Sequence, residues 1–171
     1  MRLNTPITDE TIRTLKAGDS ILLSGQIYTA RDAAHLRMIT ALEDKVPAPF
    51  SYHGNPVFYA GPAATPPGKP IGSIGPTTAE RMDLYAPKLM HAGLKIMIAK
   101  GERSPEVIQA IKDTGGIYFI AVAGVAALMS RCVKHAEIIA YDDLGTEAIR
   151  KLTVEDFPLI VAIDYLGNNV Y

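Results

Sequence analysis

Lys95-Ile96-Met97-Ile98-Ala99-Lys100-Gly101-Glu102-Arg103-Ser104-Pro105-Glu106 decides the fold. Lys95 to Ala99 is a short apolar run of strand length that ends at Lys100-Gly101. Ser104-Pro105-Glu106 then reads as a helix start, with a cap, a first-position proline and an acid in sequence. That helix is predicted to run to about Thr114, where Gly115-Gly116 stops it. The pattern repeats downstream. Ile117 to Val122 is a predicted strand, and Ala123-Gly124-Val125 leads into a helical stretch to about Cys132. Ala136 to Tyr141 is a strand, Gly145 to Leu152 a short helix, and Leu159 to Asp164 a final strand. Strands alternating with helices predict α/β layering with some parallel pairing.

The front half reads as more mixed. Thr8-Asp9-Glu10 starts a short helix with Ile12 and Leu15 as its apolar pair. Ser20 to Tyr28 is strand-like, and Gly25 marks a candidate bulge. Thr29 is a plausible N-cap for a helix whose apolar stripe is Ala33, Leu36, Ile39 and Leu42. Residues 46–70 are rich in proline and glycine around a short strand, Val57 to Ala60. Aromatic and aliphatic residues recur there, so extended segments over a core are expected, not a linker. Met82, Tyr85, Ala86 and Leu89 fit a helical stripe, but Pro87 cannot donate inside one. One short turn over Thr78–Asp83 and a second helix to about Ala92, with Pro87 in its first turn, resolve the conflict.

The chain has 171 residues, 48% hydrophobic and 20% charged, with a net charge of −1. That suits one compact domain over residues 1–171 and excludes a broadly basic nucleic-acid footprint. No apolar run approaches the roughly 18–20 residues that span a bilayer, and no signal-peptide pattern is visible. One cysteine, Cys132, excludes an intrachain disulfide and fits a cytoplasmic setting. It also leaves this chain unable to supply an all-thiolate metal site.

Gly72-Ser73-Ile74-Gly75-Pro76-Thr77-Thr78-Ala79-Glu80-Arg81-Met82-Asp83 is the stretch with the most chemistry. Two glycines and a proline shape a loop, and two hydroxyls and an arginine follow at a helix start. Such a start offers unpaired N–H groups and a partial positive charge. Thr77 or Thr78 can cap it, with Arg81 above them. An ordinary capped turn with a surface arginine gives the same pattern. Arg31 falls in the first turn of its predicted helix, the unfavourable end for a cation unless an anion binds there; a solvent-facing arginine is the alternative. Lys100 follows a buried strand, where α/β proteins commonly place binding groups, or simply marks the solvent edge. His35 shares a face with Arg31 and can line the same site, but structural packing is the favoured reading of it. His91 and His135 read as surface residues. The four histidines have no metal-ligand spacing, and the glycines form neither GxGxxG nor a P-loop. Arg31, Arg81, Lys100, Thr77 and Thr78 together suit a small dianion, without a histidine base or a metal ligand among them.

At this point Ile74-Gly75-Pro76-Thr77-Thr78-Ala79-Glu80-Arg81-Met82-Asp83 resembles the signature of the β subunit, or C-terminal domain, of class I iron–sulfur fumarate hydratases and L-tartrate dehydratases. Gly25 to His35 resembles that family's first substrate-binding segment, and Ala99-Lys100-Gly101 its lysine segment. Asp143 to Ile149 and Asp156 to Val161 resemble its C-terminal pattern. Glu80 departs from the family, where a glycine often precedes the arginine; it bears on the pocket edge or the partner interface. The resemblance implies a single swivelling β/β/α domain with a mixed sheet, belonging to the α/β class. It implies an α subunit as partner in a hetero-oligomer, carrying a [4Fe-4S] cluster through three cysteines with one iron open to substrate. No cofactor or metal is then bound by this chain. By motif match Arg31, Arg81 and Lys100 bind the substrate carboxylates and hydroxyl. Thr77 and Thr78 line the reacting carbons, and Thr77 is the candidate proton-transferring group. The implied activity is reversible hydration of fumarate to L-malate. The alternatives are L-tartrate dehydration and a non-catalytic module that binds dicarboxylates. Neither a nucleic acid nor a membrane is an expected partner.

Overall fold

β2 (Ser20–Thr29) and β7 (Ile149–Ile163) form the spine of the molecule, paired antiparallel from Ser20 opposite Ile160 to Tyr28 opposite Lys151. The computed structural model describes residues 1–121 and 126–171. Along its free edge β2 takes two parallel neighbours, β1 (Arg2–Asn4) and β3 (Val57–Phe58). Parallel pairing continues from β3 to β4 (Ile96–Ala99) and on to β5 (Ile117–Ala121). β5 and β6 (Val133–Ala140) then share the far edge of β7, both antiparallel. The pairing therefore runs from β2 through β3, β4 and β5 to β7 and back to β2.

Two cores follow from this path. Alternate strand residues point to opposite faces of the sheet. Ile21, Leu23, Phe58, Ile96, Ile98, Phe119, Phe157 and Val161 fill the space enclosed by the strands. Tyr28, Val57, Tyr59, Met97, Tyr118 and Ala162 face the other way, against helices. Those helices are α2 (Asp32–Glu43), α3 (Ala86–His91) and α4 (Pro105–Thr114), with a 3₁₀ turn at Ala79–Met82. The fold is thus an α/β domain with a mixed sheet and a β/β/α layering. α1 (Asp9–Thr14) closes the far end of the strand core with Ile12 buried.

The local signals hold well. Ser104 caps α4 by accepting from the Val107 amide at 3.3 Å, and Gly115 ends it in the left-handed region at φ 68°. Pro87 lies in the first turn of α3, after a break that follows the 3₁₀ turn. Gly25 sits at a register shift of the β2–β7 ladder with φ 111°.

Other expectations are corrected. Thr29 is not an N-cap. It ends β2, and its buried hydroxyl accepts from the Arg150 amide at 3.0 Å; Arg31 occupies the cap position of α2. The buried face of α2 is Ala34, His35 and Met38, while Leu36 and Leu42 are exposed. Residues 145–152 are not a helix: a 3₁₀ segment, Asp142–Glu147, gives way to β7 at Ile149. The final strand is therefore 15 residues long. One of its charged residues, Lys151, pairs with Glu137 of β6 at 2.9 Å. The helical stretch before Cys132 is α5 (Ala126–Arg131), and its lead-in, Val122 to Val125, lies outside the described residues.

Candidate active site

Parallel strands present their carboxyl ends at one edge, where loops converge and binding groups collect. Arg31 and Asp32 follow β2, Gly61 follows β3, and Lys100 follows β4. The loop carrying Thr77 and Thr78 is stitched between the last two. The Thr77 amide donates to the Tyr59 carbonyl at 2.6 Å, and the Ala79 amide donates to the Lys100 carbonyl at 2.8 Å. Thr78 and Lys100 form an isolated parallel bridge, with the Lys100 amide donating to the Thr77 carbonyl at 3.4 Å. Backbone hydrogen bonds thus fix the two threonines and the lysine side by side, with Thr77 half-buried and Thr78 exposed.

Arg81 reaches this edge from the 3₁₀ turn and pairs with Asp32. The pair is half open to solvent, at 51% and 33% exposure, so it adds little to stability. Its effect is orientation: one face of the guanidinium is held by Asp32, and the remaining donors stay available to a ligand. Neither threonine hydroxyl caps the turn. They are left for other work, which corrects the capping role expected for them.

Arg31 is the most constrained cation. Its side chain runs over Gly61, where an added Cβ would come within 3.1 Å of Arg31 Cδ and 2.9 Å of Thr146 Cγ2. Only a glycine leaves room for that passage. Arg31 Nε is buried and has no hydrogen-bond partner among the described residues. A buried charged donor without an acceptor is costly, and an anionic ligand would supply the acceptor. Glu147 stands close by and caps the start of α2, its Oε1 accepting from the Ala33 amide at 3.0 Å. Three cations against the carboxylates of Asp32 and Glu147 leave a net positive charge at this edge, suited to an anion.

His35 is fully buried beneath this edge. Its Nδ1 lies 2.8 Å from the Arg31 carbonyl, and its ring meets Tyr59 edge-on at 4.9 Å. Burial drives its pKa from 6.5 down to about 4; the Arg31 carbonyl opposes this, the Arg103 charge adds to it, and Asp32 opposes it. The folded protein therefore prefers the neutral ring. Below pH 6.5 the unfolded chain binds the extra proton first, so stability falls as pH drops toward 4, by about 3 kcal/mol across that window. Urea unfolding at pH 7, 5.5 and 4 should show the loss, and His35→Gln should flatten it. An unchanged slope in that variant would assign the pH dependence elsewhere.

Two residues that sequence reasoning gave no role stand out. Asp83 and Arg103 form an ion pair at 2.7 Å, with side chains 8% and 0% exposed. Asp83 lies inside the threonine–arginine stretch, but nothing local marks it as a partner for a residue 20 positions on. Arg103 directly precedes the Ser104 cap, and no local pattern marks it as a buried charge. Asp32, next to Arg31, was equally unmarked. Among the described residues no three His, Cys, Asp or Glu side chains gather as a metal group. With one cysteine in the sequence, the donor set of this chain does not fit a cluster held by three thiolates.

The α/β domain gathers cations and hydroxyls at the carboxyl edge of its parallel strands. The Fumarase C-terminus family matches residues 1–171, and the chain belongs to that family. It is 44% identical over 151 residues to the anaerobic class I fumarate hydratase of Escherichia coli K12, covering 87% of this chain and 28% of that one. Fumarate hydratase 2 of Leishmania major is 40% identical over 156 residues, 90% of this chain and 28% of its own. A protein of Methanocaldococcus jannaschii described as a putative L(+)-tartrate dehydratase subunit beta is 36% identical over 175 residues, covering 96% of this chain and 88% of that one. The chain thus spans little more than a quarter of the two fumarate hydratases and nearly all of the third relative. No helix among the described residues is long and apolar enough to cross a membrane.

Proposed function

We propose that this chain is the β subunit of an iron–sulfur hydro-lyase that interconverts fumarate and L-malate. It supplies the dicarboxylate-binding half of a site shared with a cluster-bearing α subunit. The observation that carries the reading is the buried Nε of Arg31, which has no hydrogen-bond partner among the described residues, at the same edge as Arg81, Lys100, Thr77 and Thr78. Fumarate hydratases at 44% and 40% identity favour fumarate as substrate.

In this reading the three cations hold the two carboxylates, and their fixed positions keep the reacting carbons against Thr77 and Thr78. Removing the proton beside a carboxylate builds negative charge on that carboxylate. Arg31, Arg81 and Lys100 stabilise it without reorganising. The Thr77 hydroxyl is the group that passes the proton at the carbon. An alcohol is a poor base in water, and the surrounding cations favour its ionised form. The cluster of the α subunit supplies Lewis-acid chemistry at the leaving hydroxyl.

The test is anaerobic reconstitution with a three-cysteine α chain. Addition of L-malate should raise fumarate absorbance, and neither chain alone should do so. A pair that forms but turns over tartrate instead would support the second reading, L-tartrate dehydration, which the length match to the Methanocaldococcus relative favours. A pair that binds dicarboxylates without turnover would leave only the binding module.

A further inference from the structure

We propose that Arg103 and Asp83 are positioning residues, a buried ion pair that sets Lys100 against Thr77 and Arg81 without touching substrate. This rests on the hydro-lyase reading and names residues of that site.

One guanidinium joins three segments. Arg103 Nε donates to Asp83 Oδ1 at 2.7 Å, Nη2 to the Tyr59 hydroxyl at 3.3 Å, and Nη1 meets Met97 Sδ at 3.4 Å. Its plane lies over the rings of Tyr118 and Tyr59, at 4.8 and 5.3 Å. Each contact leads to a residue of the site. Tyr59 accepts the Thr77 amide on its carbonyl. Asp83 closes the segment that carries Arg81, and its Oδ2 accepts from the Ser104 amide at 2.6 Å. The Tyr118 hydroxyl donates to the carbonyl of Gly101, the residue after Lys100, at 2.8 Å. Burial pushes the Tyr118 pKa up, so the hydroxyl stays protonated and remains a donor.

Stability alone is a weak reason for such a pair. A buried ion pair is often no better than apolar side chains of the same size, because both charges lose their water. What it supplies here is register. The lysine turn, the threonine loop and the arginine turn come from separate parts of the chain, and their shared support is this fork. A misplacement of about 1 Å among catalytic groups costs on the order of 100-fold in rate. Lysine cannot replace the arginine, since a point charge cannot bridge Asp83 and Tyr59 in one plane.

Two variants separate this role from plain packing. Tyr118→Phe keeps the ring under the guanidinium and deletes only the bond to Gly101. Arg103→Lys keeps the charge and deletes the fork. Ile12→Val serves as a control, a buried change on α1, which Asp9 ties to Lys95 at the opposite end of β4 from Lys100. In the reconstituted pair, Tyr118→Phe should lower kcat about 10-fold and Arg103→Lys about 100-fold, with KM changed less than threefold. Hydrogen exchange should quicken at least tenfold at the Thr77–Ala79 and Lys100–Ser104 amides. Ile12→Val should do neither. Unchanged exchange at both segments overturns the proposal, as does faster exchange with kcat intact. A wild-type pair inert toward malate and tartrate instead overturns the functional reading, and the exchange data then decide the register role alone.

Discussion

Arg81→Ala is expected to lower kcat/KM of the reconstituted pair by a factor between about 30 and several thousand, with the fold intact. The range corresponds to about 2–5 kcal/mol for truncating one partner of a desolvated charge pair. The Arg81 side chain is half exposed in the free chain and, among the described residues, bonds only to Asp32, so its loss opens no cavity. The damage is electrostatic. The site loses one cation and keeps the Asp32 carboxylate, which then faces the substrate carboxylate without a partner. Both changes act against a dianion. Steady-state rates with L-malate, beside circular dichroism and a thermal midpoint, check the result. Near-normal kcat/KM would remove Arg81 from the site. Arg81→Ala with Asp32→Asn should recover part of the loss if the stranded carboxylate contributes to it.

Arg31→Lys is expected to raise KM by about 10- to 100-fold with a smaller change in kcat, although the charge is conserved. Arg31 passes over Gly61, with Nε buried and without a hydrogen-bond partner among the described residues. Lysine has no donor at that depth and offers a compact ammonium in place of a planar fork. One lost charged hydrogen bond is worth about 1.5–3 kcal/mol. Since it is made to the carboxylate in ground and transition states alike, the loss appears mainly in KM. An unchanged KM would mean that the Arg31 fork makes no contact with substrate.

The residues of the candidate site were legible one at a time. Lys100 stood out because it follows a strand that ends in Gly101, and Arg31 because a cation at a helix start needs an anion to gain from its place. Asp32, Asp83 and Arg103 were not legible, because each takes its meaning from a partner far along the chain: Asp32 from Arg81, and Asp83 from Arg103. The face of α2 was misread for a related reason. His35 counts as polar in a pattern, yet as a neutral ring on the Arg31 carbonyl it belongs to the core, and the stripe shifts with it.

β7 was the largest surprise of the fold. Arg150, Lys151 and Glu155 interrupt its apolar run, so residues 145–152 read as helical and only the end reads as a strand. Its real pattern places Leu152, Val154, Phe157 and Leu159 inward, with register shifts in the ladders on both edges. Pairing to β2 on one side and to β5 and β6 on the other satisfies its backbone.

The sequence by itself determined the parts governed by short-range physics. These are the Ser104-Pro105 helix start, the glycine stops and the strand that carries Lys100. Caps, turns and periodicity act within a few residues, so they can be read without the fold. Only the tertiary structure decided which parts meet. Parallel pairing of β2, β3 and β4 brings Arg31 and Lys100 to one edge, and the Asp83–Arg103 pair beneath it joins the loops. Those contacts depend on burial and on partners 20 to 50 positions away, which no local pattern encodes.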